Sequence, residues 1–275
     1  MPSHAGSTSG WGRTVADRST LEARIRRVAR RTLPERARRW LRAQWDRRAY
    51  VPPVGRVRFG SLRRLTPISR EYGFDRGLPI DRYYIEAFLA RHAADVSGRV
   101  LEIKDDGYTR RFGAERVTAS DVLCLEADDP HATIVGDLVS ADHIPSDTFD
   151  CVIVTQTLQL VYDVRAALRT VHRVLRPGGV LLATVPGLSQ VSPHAEWGDR
   201  WAWGFTTVST RGLLEEAFPG GEVEVEAFGN VMVAVAYLHG LAVSELRREE
   251  LDHRDPEYQL SIGARARKAA RESTP

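Results

Sequence analysis

Between residues 100 and 186 short apolar runs alternate with polar or acidic closures. Val100-Leu101-Glu102-Ile103 opens the series, and Val180-Leu181-Leu182-Ala183-Thr184-Val185-Pro186 ends it. Asp121 closes a second run, Gly136-Asp137 a third, and Phe149-Asp150-Cys151-Val152-Ile153-Val154 forms a fourth. The turn Arg176-Pro177-Gly178-Gly179 launches the fifth. Continuous apolar runs bounded by turn residues suit strands buried on both faces. Each run closes with a polar group on the same side, where an open parallel α/β sheet binds its ligands. The pattern predicts a doubly wound, mainly parallel sheet with a site for a nucleoside-like cofactor.

The remaining segments carry helical or alternating patterns. Residues 80–94 predict a helix with Asp81 as its N-cap and Ile85, Phe88 and Leu89 buried. Asp163 predicts the cap of a crossover helix whose buried stripe is Ala167, Leu168, Val171 and Leu175. A brief helix at Thr109 to Phe112 and a loop from Asp121 to Ala132 leave the other crossovers short for parallel connections. Further on, the pattern predicts a helix at Ser209 to Phe218 and a strand at Glu222 to Phe228. It then gives a helix at Val231 to Leu241 capped by Asn230, and a last strand at Tyr258 to Ala266.

Charge changes the picture at the N-terminal side. Residues 13–70 hold 18 arginines against Asp17, Glu22, Glu35 and Asp46, a net +14, which leaves −11 on residues 71–275. Residues 20–48 read as a basic amphipathic helix, with Leu21, Ile25, Val28, Trp40, Leu41 and Trp45 along its apolar stripe. Such a helix docks on its own acidic domain, or on an anionic membrane surface or a partner protein. No aromatic-rich RNA-binding signature accompanies the arginines, which argues against nucleic acid. The organisation expected is a polar, disordered tail over 1–19, a basic helical arm and linker over 20–75, and a cofactor-binding domain over 76–270. No apolar run reaches the ~18 residues of a membrane span. Cys124 and Cys151 lie in or beside strands and read as buried thiols, and no metal cluster is visible. A cytoplasmic protein, membrane-associated at most peripherally, fits these features.

The chain resembles the class I S-adenosylmethionine-dependent methyltransferases of the small-molecule type, the methyltransferase type 11 group. The resemblance rests on Phe149-Asp150-Cys151-Val152-Ile153-Val154 after Ile144-Pro145-Ser146-Asp147, and on His172-Arg173-Val174-Leu175-Arg176-Pro177-Gly178-Gly179. It covers residues 98–186 well and the remainder of the C-terminal half loosely. It implies a Rossmann-like seven-stranded sheet, S-adenosyl-L-methionine as cofactor, and methyl transfer to a small-molecule or sugar acceptor in secondary metabolism or surface-glycan assembly.

Carried onto this chain, the resemblance places the cofactor among Glu102, Lys104, Asp105, Gly107, Tyr108, Asp121, Val122, Gly136, Asp137, Leu138, Thr155 and Gln156. Glu102 would orient the cofactor's amino group, Asp121 the ribose hydroxyls and Asp137 the adenine amine. The first turn departs from the family: Lys104, Asp106 and Tyr108 stand at glycine-type positions, and only Gly107 remains. Lys104 reaches a carboxylate of cofactor or substrate, or pairs with Asp105 or Asp106. The acceptor would meet Tyr83 and Tyr84 from the helix before the first strand. It would also meet Trp197, Arg200 and Trp201 from an aromatic loop at 187–207 that also holds Trp203 and Phe205. His194 and Asp199 are the candidate bases for a hydroxyl acceptor. Two other readings stand beside this one. The altered turn could mark a degenerate fold that serves as a binding or scaffolding module, or one that uses the cofactor for non-methyl chemistry.

Overall fold

The computed structural model describes Pro34 and residues 52–271. The chain divides into residues 1–63 and 64–275. In the first unit, residues 52–63 are irregular apart from a single turn at Gly60–Leu62, where the Arg63 guanidinium lies 5.3 Å from the Phe59 ring centroid. The tail expected over 1–19 and the basic helix expected over 20–48 lie outside the described residues.

The second unit is built on seven strands: β1 (Gly98–Ile103), β2 (Val117–Cys124), β3 (Ile134–Val135), β4 (Phe149–Thr155), β5 (Leu175–Pro186), β6 (Glu222–Phe228) and β7 (Ser261–Arg267). Their spatial order is β3-β2-β1-β4-β5-β7-β6. The first five run parallel, and β7 runs antiparallel between β5 and β6. Strand order reverses between β1 and β4, so the crevice for a ligand opens at their carboxyl ends. This is the mainly parallel, doubly wound sheet that the apolar runs predict.

Six helices complete the unit: α1 (Ile80–Arg91), α2 (Val164–Val174), α3 (Ala195–Gly198), α4 (Thr207–Ala217), α5 (Val231–Leu238) and α6 (Arg248–Asp252). Successive side chains of β4 point to opposite faces and so enter two different cores. Val152 and Val154 join Leu168 and Val171 of α2 and Leu214 of α4. Cys151 and Ile153 join Ile85, Phe88 and Leu89 of α1 and Val233 of α5. Both cysteines are free and buried.

Caps explain where the helices begin. Asp163 accepts the Ala166 amide at 2.9 Å, and Asn230 accepts the Val233 amide at 3.1 Å, as the sequence predicts. Asp81 does not cap α1. Pro79 holds that position, and the Asp81 carboxylate lies in the first turn, accepting the Arg82 amide at 2.8 Å. α4 starts two residues before Ser209, because Thr206 and Ser209 form a reciprocal capping box. α5 stops at Leu238 rather than Leu241. Gly240 turns back with φ +69°, and a Cβ there would sit 2.3 Å from the Ser69 carbonyl oxygen.

Two strand boundaries differ from the pattern in ways that matter for the site. β2 does not end at Asp121 but continues to Cys124. The Arg176-Pro177-Gly178-Gly179 turn lies within β5, which pairs first through Leu175 to Phe149 and then, after a register shift, through Val180 to Cys151. The crossovers from β1 to β2 and from β2 to β3 are short, as expected. The first holds a π-type turn at Thr109–Gly113 and a 3-10 turn at Ala114–Arg116, and residues 125–133 hold no helix.

Candidate active site

A cleft of about 1040 Å³ opens at the carboxyl ends of β1, β2 and β4. One wall comes from the strand ends and the other from α1, the segment before it, the 187–207 loop and α5.

Glu102, near the end of β1, organises the first wall. Its buried carboxylate accepts the Thr109 amide and hydroxyl, each at 2.7 Å, and the Tyr108 amide at 3.2 Å. These bonds tie down the turn that the glycine-poor sequence left open. Burial pushes the Glu102 carboxyl up to about 7, against the pull of the bonds from Thr109 and Tyr108.

Lys104 keeps the glycine-like backbone, with φ +81°. Its amide donates to the Leu123 carbonyl at 3.1 Å, so the parallel pairing with β2 carries the turn through the strained residue. Its ammonium pairs with Asp129, at 2.7 Å. Asp105 accepts the Gly107 amide at 2.8 Å. Lys104, Asp105 and Tyr108 line the cleft, whereas Gly107 lies behind the turn.

The structure separates Asp121 and Val122 from this site. Asp121 stands opposite Leu101 inside the sheet, and its carboxylate pairs with Arg99 at 2.7 Å. Val122 is buried in β2. Because β2 runs to Cys124, the first acid reaching the cleft after its end is Glu126, beside Leu123, Cys124 and Leu125. The uninterrupted run Val122-Leu123-Cys124-Leu125 was the available signal for that boundary. Past β3, Gly136, Asp137 and Leu138 line the cleft, and so do Thr155 at the end of β4 and Gln156 after it. A Cβ at Gly136 would sit 2.6 Å from the His143 ring, so glycine lets the loop pack there.

On the opposite wall the structure brings together His194, Trp197, Asp199, Arg200 and Trp201. The His194 Nε2 lies 3.0 Å from a carboxylate oxygen of Glu71. Trp203 and Phe205 turn elsewhere: Trp203 donates to the Val161 carbonyl at 3.1 Å, and Phe205 is buried in the core.

Tyr83 and Tyr84 do not face the cleft. Tyr84 is buried and donates to the Leu251 carbonyl at 2.8 Å, and Tyr83 donates to Asp252 at 2.5 Å. Both hold α6 in place. A helix advances about 100° per residue, and the turn that aims Tyr83 and Tyr84 at α6 aims Asp81 and Arg82 into the cleft.

Sequence reasoning therefore missed Tyr72, Asp81, Arg82 and Tyr237 as cleft residues. Arg82 donates to the Tyr108 hydroxyl at 2.9 Å and links the two walls. Burial works against the Arg82 charge, but Tyr108 and Asp81 outweigh it and hold its pKa above the ordinary range. Burial raises the pKa of Tyr72, Tyr108 and Tyr237, so these hydroxyls stay protonated. Among the described residues no group of histidine, cysteine and acidic side chains is arranged to hold a metal ion. No helix there is long and apolar enough to cross a membrane.

The sheet order and the position of the cleft define a class I methyltransferase fold. Residues 87–183 match the family model described as a methyltransferase domain. Solved structures of similar topology include an S-adenosylmethionine-dependent methyltransferase from Archaeoglobus fulgidus, 14% identical, covering 68% of this chain and 94% of its own with a TM-score of 0.47. One from Mesorhizobium loti is 21% identical, covering 71% of this chain and all of its own with a TM-score of 0.45. The [4+2]-cyclase SpnF is 17% identical, covering 69% of this chain and 81% of its own with a TM-score of 0.46. No curated protein sequence matches. Residues 87–183 thus carry a methyltransferase domain, whose cofactor is S-adenosylmethionine.

The first wall suits that cofactor. A buried carboxylate at Glu102, further acids at Glu126 and Asp137, and apolar Leu138 line one continuous surface. This donor set matches an ammonium, a ribose diol and an adenine with its exocyclic amine.

Proposed function

We propose that this methyltransferase transfers its methyl group to a hydroxyl of a small, sugar-like acceptor. The observation that carries the reading is the His194–Glu71 pair at 3.0 Å on the wall facing the cofactor side. A hydroxyl is a poor nucleophile until a base takes its proton, and a histidine oriented by a carboxylate is a base of the required kind. Glu71 would hold the Nε2–H tautomer and leave Nδ1 as the basic nitrogen. Asp199, on the same wall, is the other candidate base. Trp197 and Trp201 offer ring faces of the kind on which sugars stack.

Bound S-adenosylmethionine supplies an electrophilic methyl group on a sulfonium. Glu102 would hold its ammonium end, Glu126 the ribose hydroxyls and Asp137 the adenine amine. The remaining task for the protein is alignment. Approximation of acceptor and methyl is worth up to roughly 7–11 kcal/mol of the barrier. His194 would take the hydroxyl proton as the acceptor receives the methyl group.

The domain over residues 76–270 would perform this chemistry together with Glu71 and Tyr72 from the end of the preceding linker, leaving the arginines of the 20–75 segment available for an anionic surface or partner. Incubation with methyl-labelled cofactor and a panel of sugars and phenols tests the reading. It predicts an O-methyl ether by mass spectrometry and NMR. Label appearing only on nitrogen or carbon overturns it.

A further inference from the structure

The acceptor wall contains a carboxylate that makes no ion pair among the described residues. Asp81 lines the cleft from the first turn of α1, and one of its oxygens accepts the adjacent Arg82 amide. Among the described residues no basic side chain lies within ion-pair distance of it. The nearest candidate in sequence, Arg82, turns its guanidinium to Tyr108 instead. Beside Asp81 stand two tyrosines from different segments, Tyr72 and Tyr237, with ring centroids 6.2 Å apart and planes inclined by 38°. The Tyr72 hydroxyl is buried beside the Ser192 and Gln190 side chains, neither of which meets it with good hydrogen-bond geometry. The Tyr237 hydroxyl has only a long contact, 3.5 Å, to Ser189.

We infer that the acceptor carries a protonated amine besides its reacting hydroxyl, and that Asp81 holds this ammonium between Tyr72 and Tyr237. The inference rests on the hydroxyl-methylation reading and names the substrate class for the same cleft: a hydroxylated amine, as an amino sugar or an open-chain amino alcohol. A carboxylate removed from water without a direct ion-pair partner is costly, the Arg82 charge offsetting only part of that cost, and a neutral hydroxyl would return a hydrogen bond but no charge. An ammonium has three donors, enough for the free Asp81 oxygen and a lone pair of the Tyr72 hydroxyl. Two tyrosine rings add the attraction of their faces for a cation. Burial raises the Asp81 pKa, with the Arg82 charge and the helix amides opposing it, which is the state a cationic ligand would relieve. Protonation also removes the amine's lone pair, so the held nitrogen is not the nucleophile and the hydroxyl is left to accept the methyl.

Calorimetric titration of the protein saturated with S-adenosylhomocysteine tests the inference. The probes are glucosamine, its N-acetyl form and glucose, and in parallel ethanolamine and N-acetylethanolamine. The expected result is that at least one free amine binds about tenfold or more tighter than its acetylated twin. The arm in which this occurs separates the cyclic from the open-chain source. Asp81→Asn should erase the preference while binding S-adenosylhomocysteine normally, which reports that the fold is intact. Tyr72→Phe should weaken the amine several-fold without removing the preference. Equal binding of each amine and its twin, or a preference retained in Asp81→Asn, overturns the inference. If S-adenosylhomocysteine itself fails to bind, the methyl-transfer reading is at fault and this inference falls with it. N-methylation of the probe amines would instead retain the Asp81 contact and sink the hydroxyl reading.

Discussion

Lys104 and Asp129 join the turn after β1 to the loop after β2, with Nζ 2.7 Å from Oδ2, on the rim of the cofactor wall. The residue making this bridge has a left-handed backbone, φ +81°, where the family carries glycine. A left-handed non-glycine residue costs about 1 kcal/mol. Lys104→Gly should therefore leave the melting temperature within a degree or two of the parent, the relieved strain offsetting the lost pair and the added chain entropy. Lys104→Val, β-branched at the same φ, should lower it clearly. Thermal denaturation of the two variants decides this, and a Val variant as stable as the Gly variant would refute the strain argument.

The end of β2 separates two acids that sequence alone treats as equivalents. Glu126→Ala should weaken S-adenosylhomocysteine by about tenfold or more, the loss of a bidentate diol contact. Asp121→Ala should leave that affinity unchanged, because the Asp121 partner is Arg99 and not the cleft. Titration calorimetry on both variants reads the contrast.

Much of the fold was legible in the chain, because apolar runs and capping side chains are local signals. Cys151-Val152-Ile153-Val154 is the continuous apolar run of a strand buried on both faces, a signal that sequence displays, as are the caps Asp163 and Asn230. The site was legible only where a strand end was. Asp137 and Thr155 lie at or just past strand ends marked by a polar residue. Asp121, by contrast, is a polar residue within a strand, satisfied sideways by Arg99, and so it mimicked an end. Tyr83 and Tyr84 were misassigned because a weakly amphipathic helix does not announce which face meets the cleft. Asp81 and Tyr237, more than 150 residues apart in sequence, meet only through the fold.

Glu102 makes cofactor binding depend on pH. Its carboxyl sits at about 7 in the folded protein, against 4.5 ordinarily. With its folded pKa raised, its contribution to stability is fully present below the ordinary value and is lost as pH rises through 7. Binding runs the other way, since only the ionised carboxylate attracts the cofactor's ammonium. Affinity for S-adenosylhomocysteine should fall by up to about tenfold per pH unit below 7. Glu102→Gln should flatten that profile in titrations between pH 5.5 and 8, and a parent profile already flat would count against the assignment.

Asn230 anchors the helix that carries Tyr237. Besides capping α5 at Val233, its amide group donates to the carbonyls of Glu250 and His253, each at 2.8 Å, from a buried position. Asn230→Ala removes a cap and leaves two carbonyls short, together about 3 kcal/mol. Chemical denaturation should show a midpoint shift of that size with an unchanged slope.

Phe88 of α1 presses on Gly263 of β7, where a Cβ would stand 2.5 Å from the ring. The helix that begins with Asp81 is thus seated against a strand close to the carboxyl terminus, and a bulkier residue at 263 would tilt it. Changes of acceptor preference could then arise from a position that touches no substrate, so a search for specificity variants that samples only the cleft would overlook part of the chain that sets it.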